Sequence, residues 1–595
     1  MATKKTTAKG KTAKAKPLAP GVEDPNGASK AGALFGSDVM AEALVALDVP
    51  YIALNPGASY RGLHDSIVNY LGNENPKMIL CLHEEHAIAI AQGYAKVTGK
   101  PMAAAIHSNV GLMHASMAIF NAWCDRVPVI VIGATGNVDS VKRRPWIEWI
   151  HTSRDQASMV RNYVKWDDQP GSVGAARESI LRAGWISKTA PMGPTYVVMD
   201  VELQEESASE PLPPIDPSRY MPKVTYAATP DQARAAVDLL LKAKNPLILM
   251  GRASRGEAEW ADRVTLAEKL GARVATDTKV GAAFPTSHPL HVGAFGSGAA
   301  GEVLNAIKSS DVILSLDWVD LAGTFKTALG DVETKAKVIQ VTLDHILHNG
   351  WSMDYMGLPA VDMMIASETD PAVAAMVKAL EGKPSKFRGG EPSGLVAPDL
   401  KKGPIAVNQM VGALRQVVAG KDVSLLQIPL SWNAKTWHFE HPLDYTGSDG
   451  GGGIGSGPGI SVGAALALRD SGRLAISIFG DGNFMMGCQA IWTAAHYKIP
   501  LLIIVANNQS FYNDELHQER MARMRNRPVE NKWIGQRMVD PELDLATIAR
   551  GQGAIGHGPV KSADELVDVF TKAVKDLEAG HVVVVDCRVL PGYAP

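Results

Sequence analysis

"RLAISIFGDGNFMMGCQAIWTAAHYKIPLLIIVANN", residues 473–508, joins two apolar runs through a turn in which Asp481 stands between Gly480 and Gly482. Neither run alternates apolar with polar residues, the pattern of strands buried on both faces in a parallel sheet covered by helices. In an open sheet of that kind ligands bind beyond the carboxyl ends of the strands. The first run is expected to end at Phe479 and a helix to begin near Phe484, leaving the Asp481 carboxylate at the sheet edge. The flanking glycines let the backbone turn sharply and come close to a ligand. If one helix and one strand follow, Asn508 ends the next strand beside Asp481. A carboxylate, an amide oxygen and a backbone carbonyl are hard ligands suited to Mg²⁺, which completes its shell with phosphate oxygens.

Runs of the same type recur at 128–134, 194–201, 245–251, 312–316, 337–342 and 581–587, alternating with helix-like segments. The fold class is therefore read as α/β. Two Pro-, Gly- and Ser-rich stretches, 203–222 and 381–404, read as linkers. They separate three doubly wound parallel-sheet domains, 33–204, 223–382 and 403–595, after a Lys- and Ala-rich tail at 1–32 expected to be disordered. The chain of 595 residues is 46% hydrophobic and 20% charged, with a net charge of −3. That balance gives no reason to expect nucleic acid or a membrane as partner. Cys81, Cys124, Cys488 and Cys587 form neither a disulfide framework nor a metal pair, which suits a reducing cytoplasm.

An internal repeat sharpens the reading. A shift of 372 positions lays 107–136 on 478–508 without a gap: Met113 meets Met485, Ala118 and Ile119 meet Ala490 and Ile491, Ala122 meets Ala494, and Pro128 meets Pro500. The first and third domains should share one fold. Asn109 falls where Asp481 stands, so the two copies should have divided one site between them.

"GDG", then 24 residues, then "NN" resembles the signature of thiamine-diphosphate-dependent enzymes, and the likeness runs from about residue 35 to 590. It is nearest to the family that holds acetolactate synthase, benzoylformate decarboxylase and pyruvate decarboxylase. The resemblance implies that Asp481, Asn508 and the Ser510 carbonyl hold Mg²⁺ against the cofactor's diphosphate, with Gly480, Gly482 and Asn483 beside it. The glycine string 447–468 lacks the preceding strand of a dinucleotide fingerprint. It reads instead as a loop whose amides approach phosphate at a helix N-terminus. Gly453 lies in that loop, and Ile454 matches the apolar residue that props the cofactor in a bent shape. "CLHEEHAIAIAQGYA" (81–95) resembles the family's glutamate helix and selects Glu84 over Glu85. That carboxyl would share a proton with the pyrimidine nitrogen and so promote formation of the thiazolium ylide. The family pairs its two half-sites across subunits, implying a homodimer or homotetramer.

The substrate end is most similar to benzoylformate decarboxylase, through "NPG" (55–57) and His107, whose counterpart relays protons. The expected reaction is non-oxidative decarboxylation of a small 2-oxo acid through an enamine, with an acetolactate-synthase-like ligation as the alternative. Flavin-dependent oxidation and a catalytically silent scaffold stay open. Departures are visible: Ala58, then Ser59, stand where the decarboxylase has serine, and 316–325 has no histidine. Arg61 is a candidate for an anionic substrate, and Asp514 a candidate acid or base. The central domain shows no diagnostic glycine fingerprint, so FAD is not expected.

Overall fold

Apolar runs with helical segments between them build three parallel sheets in the computed structural model of the protein, which describes residues 23–27, 32–208, 212–296, 300–347 and 357–592. The first sheet contains β1 (Tyr51–Leu54), β2 (Lys77–Leu80), β3 (Met102–Ile106), β4 (Val129–Thr135), β5 (Asp167–Asp168) and β6 (Thr195–Asp200), in the order β2-β1-β3-β4-β6-β5. The central sheet has β7 (Pro246–Met250), β8 (Arg273–Asp277), β9 (His291–Phe295), β10 (Val312–Leu316), β11 (Lys337–Val341) and β12 (Met363–Ile365), ordered β12-β11-β10-β7-β8-β9. The third has β13 (Val423–Gln427), β14 (Leu474–Gly480), β15 (Leu501–Asn507), β16 (Ile555–Val560) and β17 (Val582–Arg588), ordered β13-β14-β15-β17-β16. Each apolar run read from the sequence coincides with one of these strands to within about a residue at either end.

The repeat is structural. A shift of 372 carries β4 onto β15 end for end, the start of β1 onto the start of β13, and the start of β3 onto the start of β14. The order β1-β3-β4-β6-β5 then matches β13-β14-β15-β17-β16, with β2 as the first sheet's extra edge strand. The first and third domains have the same fold.

The two domains share a hydrophobic core. Ile88, Ala89 and Ile90 of the helix Glu84–Thr98 are buried in one cluster with Ile460, Val462 and Ala464 of the helix Gly457–Leu468. These helices cross so closely that a Cβ on Gly93 would stand 2.0 Å from the Ile460 carbonyl oxygen, and one on Gly463 would stand 1.9 Å from that of Ile90. Tyr497 adds a polar tie, its hydroxyl accepting from the Leu80 amide at 2.8 Å.

Some expectations change in detail. The tail 1–32 lies outside the described residues except for 23–27 and 32; there Glu23 accepts from the Tyr497 hydroxyl at 2.7 Å. The stretch 203–222 is not uniformly linker, because the helices Val201–Glu205 and Pro217–Tyr220 enter it, capped by Asp200 and Asp216. By contrast, 381–404 carries no helix or strand. All four cysteines are buried free thiols, and no helix among the described residues is long and apolar enough to cross a membrane.

Substituting Gly93 by valine should push the two helices apart. Overpacking of this kind costs about 1–3 kcal/mol, and a lowered urea midpoint relative to wild type checks it.

Candidate functional site

The turn after β14 is tighter than its sequence suggests. The strand runs through Gly480 and the next helix begins at once, Asp481–Gly487, so Asp481 is the first helical residue, with Gly480 as N-cap. The segment to β15 is two short helices, the second being Ala490–His496. Neither Gly480 nor Gly482 has a positive φ. Gly482 is required for another reason: a Cβ there would stand 2.7 Å from the Phe511 ring. A Cβ on Gly480 would meet nothing within 4 Å, so the strand end faces open space.

β14 and β15 pair in register, Gly480 opposite Ala506, and this places the Asn508–Ser510 segment next to Asp481. Asp481 Oδ1 accepts from the Gly482 amide at 2.9 Å. Oδ2 is buried and, among the described residues, has no hydrogen bond of good geometry, although the Gln509 and Ser510 amides lie near the carboxylate. Burial pushes the Asp481 carboxyl up to about 6, against the lowering effect of the amides of Gly482, Gln509 and Ser510. A buried, unsatisfied carboxylate oxygen is costly unless a cation or donor meets it. Asn508 Oδ1 accepts from the Ser510 amide at 3.0 Å, so its amide oxygen is turned toward the same edge. This donor set fits Mg²⁺.

The glycine loop packs between the first domain and the Asp481 helix. Gly451 N–H donates to Asn121 Oδ1 at 3.0 Å, Asn121 Nδ2 donates to Ser456 Oγ at 3.0 Å, and Ser456 Oγ donates to Glu85 Oε1 at 2.7 Å. Asn483 holds the same loop, its Oδ1 accepting from Gly455 N–H at 2.9 Å. Gly453 leaves room for Met117, whose methyl would stand 2.3 Å from an added Cβ. Ile454 is 36% exposed, so it is no core residue and remains free to prop a ligand.

Glu84 opens its helix as expected, behind the N-cap His83, whose Nδ1 accepts from the Glu85 amide at 3.1 Å. The Glu84 side chain is buried toward Gly111, and its Oε2 lies 2.9 Å from His114 Nδ1. His83 stacks on His114 with ring centroids 4.9 Å apart. The two adjacent glutamates thus part company: Glu85 ties the glycine loop, and Glu84 faces the helix that follows His107.

His107 is the N-cap of the helix Ser108–Asp125, immediately after β3. Its Nδ1 meets Ser59 Oγ at 2.9 Å and the Ser59 amide at 3.4 Å, while Gly57 packs against its ring. Burial lowers its pKa, as do His151 and Arg144; Glu84 acts in the opposite direction. Ala58 is exposed on the same short turn. Arg61 is engaged elsewhere, pairing with Glu205 at 2.5 Å and donating to the Ala58 carbonyl at 3.0 Å. Asp514 is exposed on the first turn of the helix Tyr512–Met524. The buried acid of that turn is its neighbour Glu515, which accepts from Ser510 Oγ at 2.6 Å and from Arg537 Nε at 3.0 Å.

Several of these residues escape a reading of the sequence alone. Glu515 lies beside the acidic residue singled out, and only the helix phase decides which of the two faces Ser510. Asn121, Ser456 and Glu85 are joined by tertiary contacts that no spacing announces. His114 carried a signal: it follows His107 by two helical turns and so shares its face. Away from all of these, a cavity of about 670 Å³ opens at the carboxyl edge of the central sheet, lined by Arg252, Asp317 and Asp344 among others. Arg252 bridges the two aspartates at 3.3 and 3.1 Å.

Comparison with known proteins accounts for all three domains. Residues 35–159 match the family model "Thiamine pyrophosphate enzyme, N-terminal TPP binding domain", 233–349 the central domain, and 429–587 the C-terminal TPP binding domain. The chain is 25% identical to the acetolactate synthase large subunit of Haemophilus influenzae, over 91% of this chain and 92% of that one. It is also 25% identical to benzoylformate decarboxylase of Pseudomonas aeruginosa, over 84% and 93%. Among solved structures, benzoylformate decarboxylase from Polynucleobacter necessarius superposes with a TM-score of 0.78 at 22% identity, covering 94% of this chain and 100% of that one. The 4-hydroxybenzoylformate decarboxylase of Rhodococcus jostii RHA1 does so at 0.76, also at 22% identity and with the same coverage.

Two outcomes follow from the Asp481 turn. A cation there must displace the proton from Asp481, so Mg²⁺ affinity measured by calorimetry in the presence of diphosphate should fall about tenfold per pH unit below about 6. Above that value the carboxylate is already ionised and the affinity should level off. Glu515→Ala should weaken Mg²⁺–diphosphate binding while leaving the far-UV circular dichroism unchanged, because it frees the Ser510 segment without touching the turn.

Proposed function

Because the chain belongs to the thiamine pyrophosphate enzyme family, all three of whose domains it carries, we propose that it uses thiamine diphosphate and Mg²⁺ to split a 2-oxo acid beside its carbonyl, releasing CO2 and an aldehyde. When bound, the cofactor supplies the sink for the electron pair that the departing carboxylate leaves behind. The protein's part is to hold, orient and move protons.

Asp481, Asn508 and the Ser510 carbonyl would grip the cation and, through it, the diphosphate. Glu84 would share its proton with the pyrimidine nitrogen, with His114 fixing the carboxylate's other oxygen. Ile454 would support the cofactor from the glycine loop, which Glu85, Asn121 and Asn483 hold in place. The substrate would lie toward Ala58, Ser59 and His107. The observation that carries decarboxylation is the Ser59–His107 contact at 2.9 Å: it presents an imidazole, directly after β3, on the Glu84 side of the site.

A ligation of two carbonyl compounds is the second reading. It is favoured by the similarity to an acetolactate synthase over nine-tenths of the chain. Both reactions begin with loss of CO2 and differ in whether a proton or a second carbonyl takes its place.

The exposed Trp146 and Trp149, each 73% accessible, and the exposed Leu430, Met524 and Ile534 support an assembly of at least two copies. We read the active unit as a homodimer or homotetramer with sites at subunit interfaces.

A panel of 2-oxo acids incubated with protein, thiamine diphosphate and Mg²⁺, with and without an acceptor aldehyde, tests the reaction. CO2 with free aldehyde is the expected product; a ligated product only in the presence of acceptor would favour the second reading. Glu84→Gln should cut turnover at least about a hundredfold while retaining bound cofactor. Asp481→Ala should lose the cofactor itself, which equilibrium dialysis would detect; cofactor retained at wild-type affinity would remove Asp481 from the site.

A further inference from the structure

Among the described residues, one group of three metal-ligating side chains lies close enough to share an ion: His83, Glu84 and His114, with one nitrogen or oxygen of each within 4.8 Å of the others. His83 and Glu84 stand at the start of the helix Glu84–Thr98, and His114 on the second turn of the helix Ser108–Asp125. The donor set differs from that at Asp481 and Asn508, which offers only oxygen. Two imidazoles and one carboxylate suit Zn²⁺ and similar first-row cations rather than Mg²⁺, and three protein ligands leave a fourth position open.

The geometry admits an ion with little movement. Glu84 Oε2 and His114 Nδ1 are 2.9 Å apart, and a tetrahedral Zn²⁺ with bonds of about 2.0–2.1 Å holds its ligands about 3.3 Å apart. Without an ion the His114 Nδ1–H donates to that oxygen; Zn²⁺ would take the place of the proton. The His83 ring stacks on that of His114 with 22° between their planes, so both rings can turn an edge to one point. From within 4.8 Å, the His83 nitrogen has at most about 1.5 Å to close.

The surroundings favour these three residues over their neighbours. The Glu84 side chain is 9% exposed and backed by Gly111, where an added Cβ would lie 3.2 Å from Glu84 Cγ. His114 is 51% exposed and leaves the ion a path from solvent. Glu85 is taken up by Ser456 Oγ at 2.7 Å and His86 by Gln489 at 3.4 Å, so neither completes the set. The fourth position falls to water or a small anion.

The cost of binding falls on His83. Its Nδ1 accepts from the Glu85 amide at 3.1 Å, so the neutral ring carries its proton on Nε2. To ligate through Nε2 the ring must move that proton to Nδ1 and give up the helix cap. Losing a cap weakens the equilibrium about fivefold, which is small against what three metal–ligand bonds contribute. We propose that His83, Glu84 and His114 form a binding site for Zn²⁺ or a similar first-row cation, and that filling it silences the enzyme by occupying Glu84. The silencing rests on the proton-sharing role of Glu84; the binding does not.

The full chain, titrated with Zn²⁺ by calorimetry in excess Mg²⁺, should bind one ion at this site. Co²⁺ in its place should show the visible absorption of a four-coordinate site with nitrogen ligands. His83→Ala and His114→Asn should each weaken binding at least about tenfold, and Asp481→Ala should leave it unchanged. His114 is half exposed, so its variant keeps the fold even where loss of the His83 cap does not. No ion bound, or binding that neither histidine variant weakens, would overturn the site. With a 2-oxo acid that the wild-type protein turns over, Zn²⁺ added before the cofactor should lower turnover at least about tenfold. A chelator should restore it, and His114→Asn should need at least about tenfold more Zn²⁺ for the same loss. Full turnover with the site filled would overturn the silencing. If no 2-oxo acid is turned over, the decarboxylase reading fails, and the calorimetry and the Co²⁺ spectrum still decide the site.

Discussion

The contact on which the rest of the molecule depends is the crossing of the helices Glu84–Thr98 and Gly457–Leu468. At Gly93 and Gly463 each backbone rests on a carbonyl of the other helix, at a separation that excludes any Cβ. Backbone-to-backbone packing of this kind fixes the relative placement of two domains far more tightly than interdigitated side chains, which can change rotamer. Each helix begins at the site: the first with Glu84, the second just after the glycine loop. The crossing point therefore fixes how the first and third domains of one chain sit against each other.

The repeat explains why this crossing exists. Both helices precede the corresponding strands β3 and β14 of two copies of one fold, so a single rotation brings like elements together. What differs between the copies is charge. At the strand end of the third domain Asp481 is buried with one oxygen unsatisfied, while the first domain has Asn109 at the equivalent position, hydrogen-bonded locally to Ser108. An amide there is neutral; a buried carboxylate is costly unless a donor, a proton or a cation meets it. Conversely the first domain places its carboxylate, Glu84, at a helix start, where the same shift of 372 puts Ser456 in the third domain. The two copies thus retain the same backbone frame and differ in where each carries its buried carboxylate.

Much of this was legible in the sequence because it is local. Continuous apolar runs are a direct consequence of strands covered on both faces, and every such run proved to be a strand. The 372-residue register was readable because β1, β3 and β4 kept their spacing without insertion. Asp481, Asn508, Glu84 and His107 were found at strand ends or helix starts, where short-range pattern has most force. The reason assigned to the glycines was less secure: Gly482 answers to the Phe511 ring and not to a strained turn, a contact made across the sheet edge. The same limit hid Glu515, whose neighbour Asp514 has identical local credentials but the other helix phase, and turned Arg61 toward Glu205. Type and position place a residue at a strand end or a helix start; the partners that decide its orientation are tertiary, and no local pattern announces them.

The histidines show what that difference means for chemistry. By type, His107 is a proton relay. Its partners bear on that role: the Ser59 N–H, which can only donate, points at Nδ1, which favours the tautomer with the proton on Nε2. The function assigned to a histidine therefore depends less on its place in a motif than on the donors aimed at it. Here that donor comes from a turn some fifty residues upstream, a contact that no motif around His107 contains.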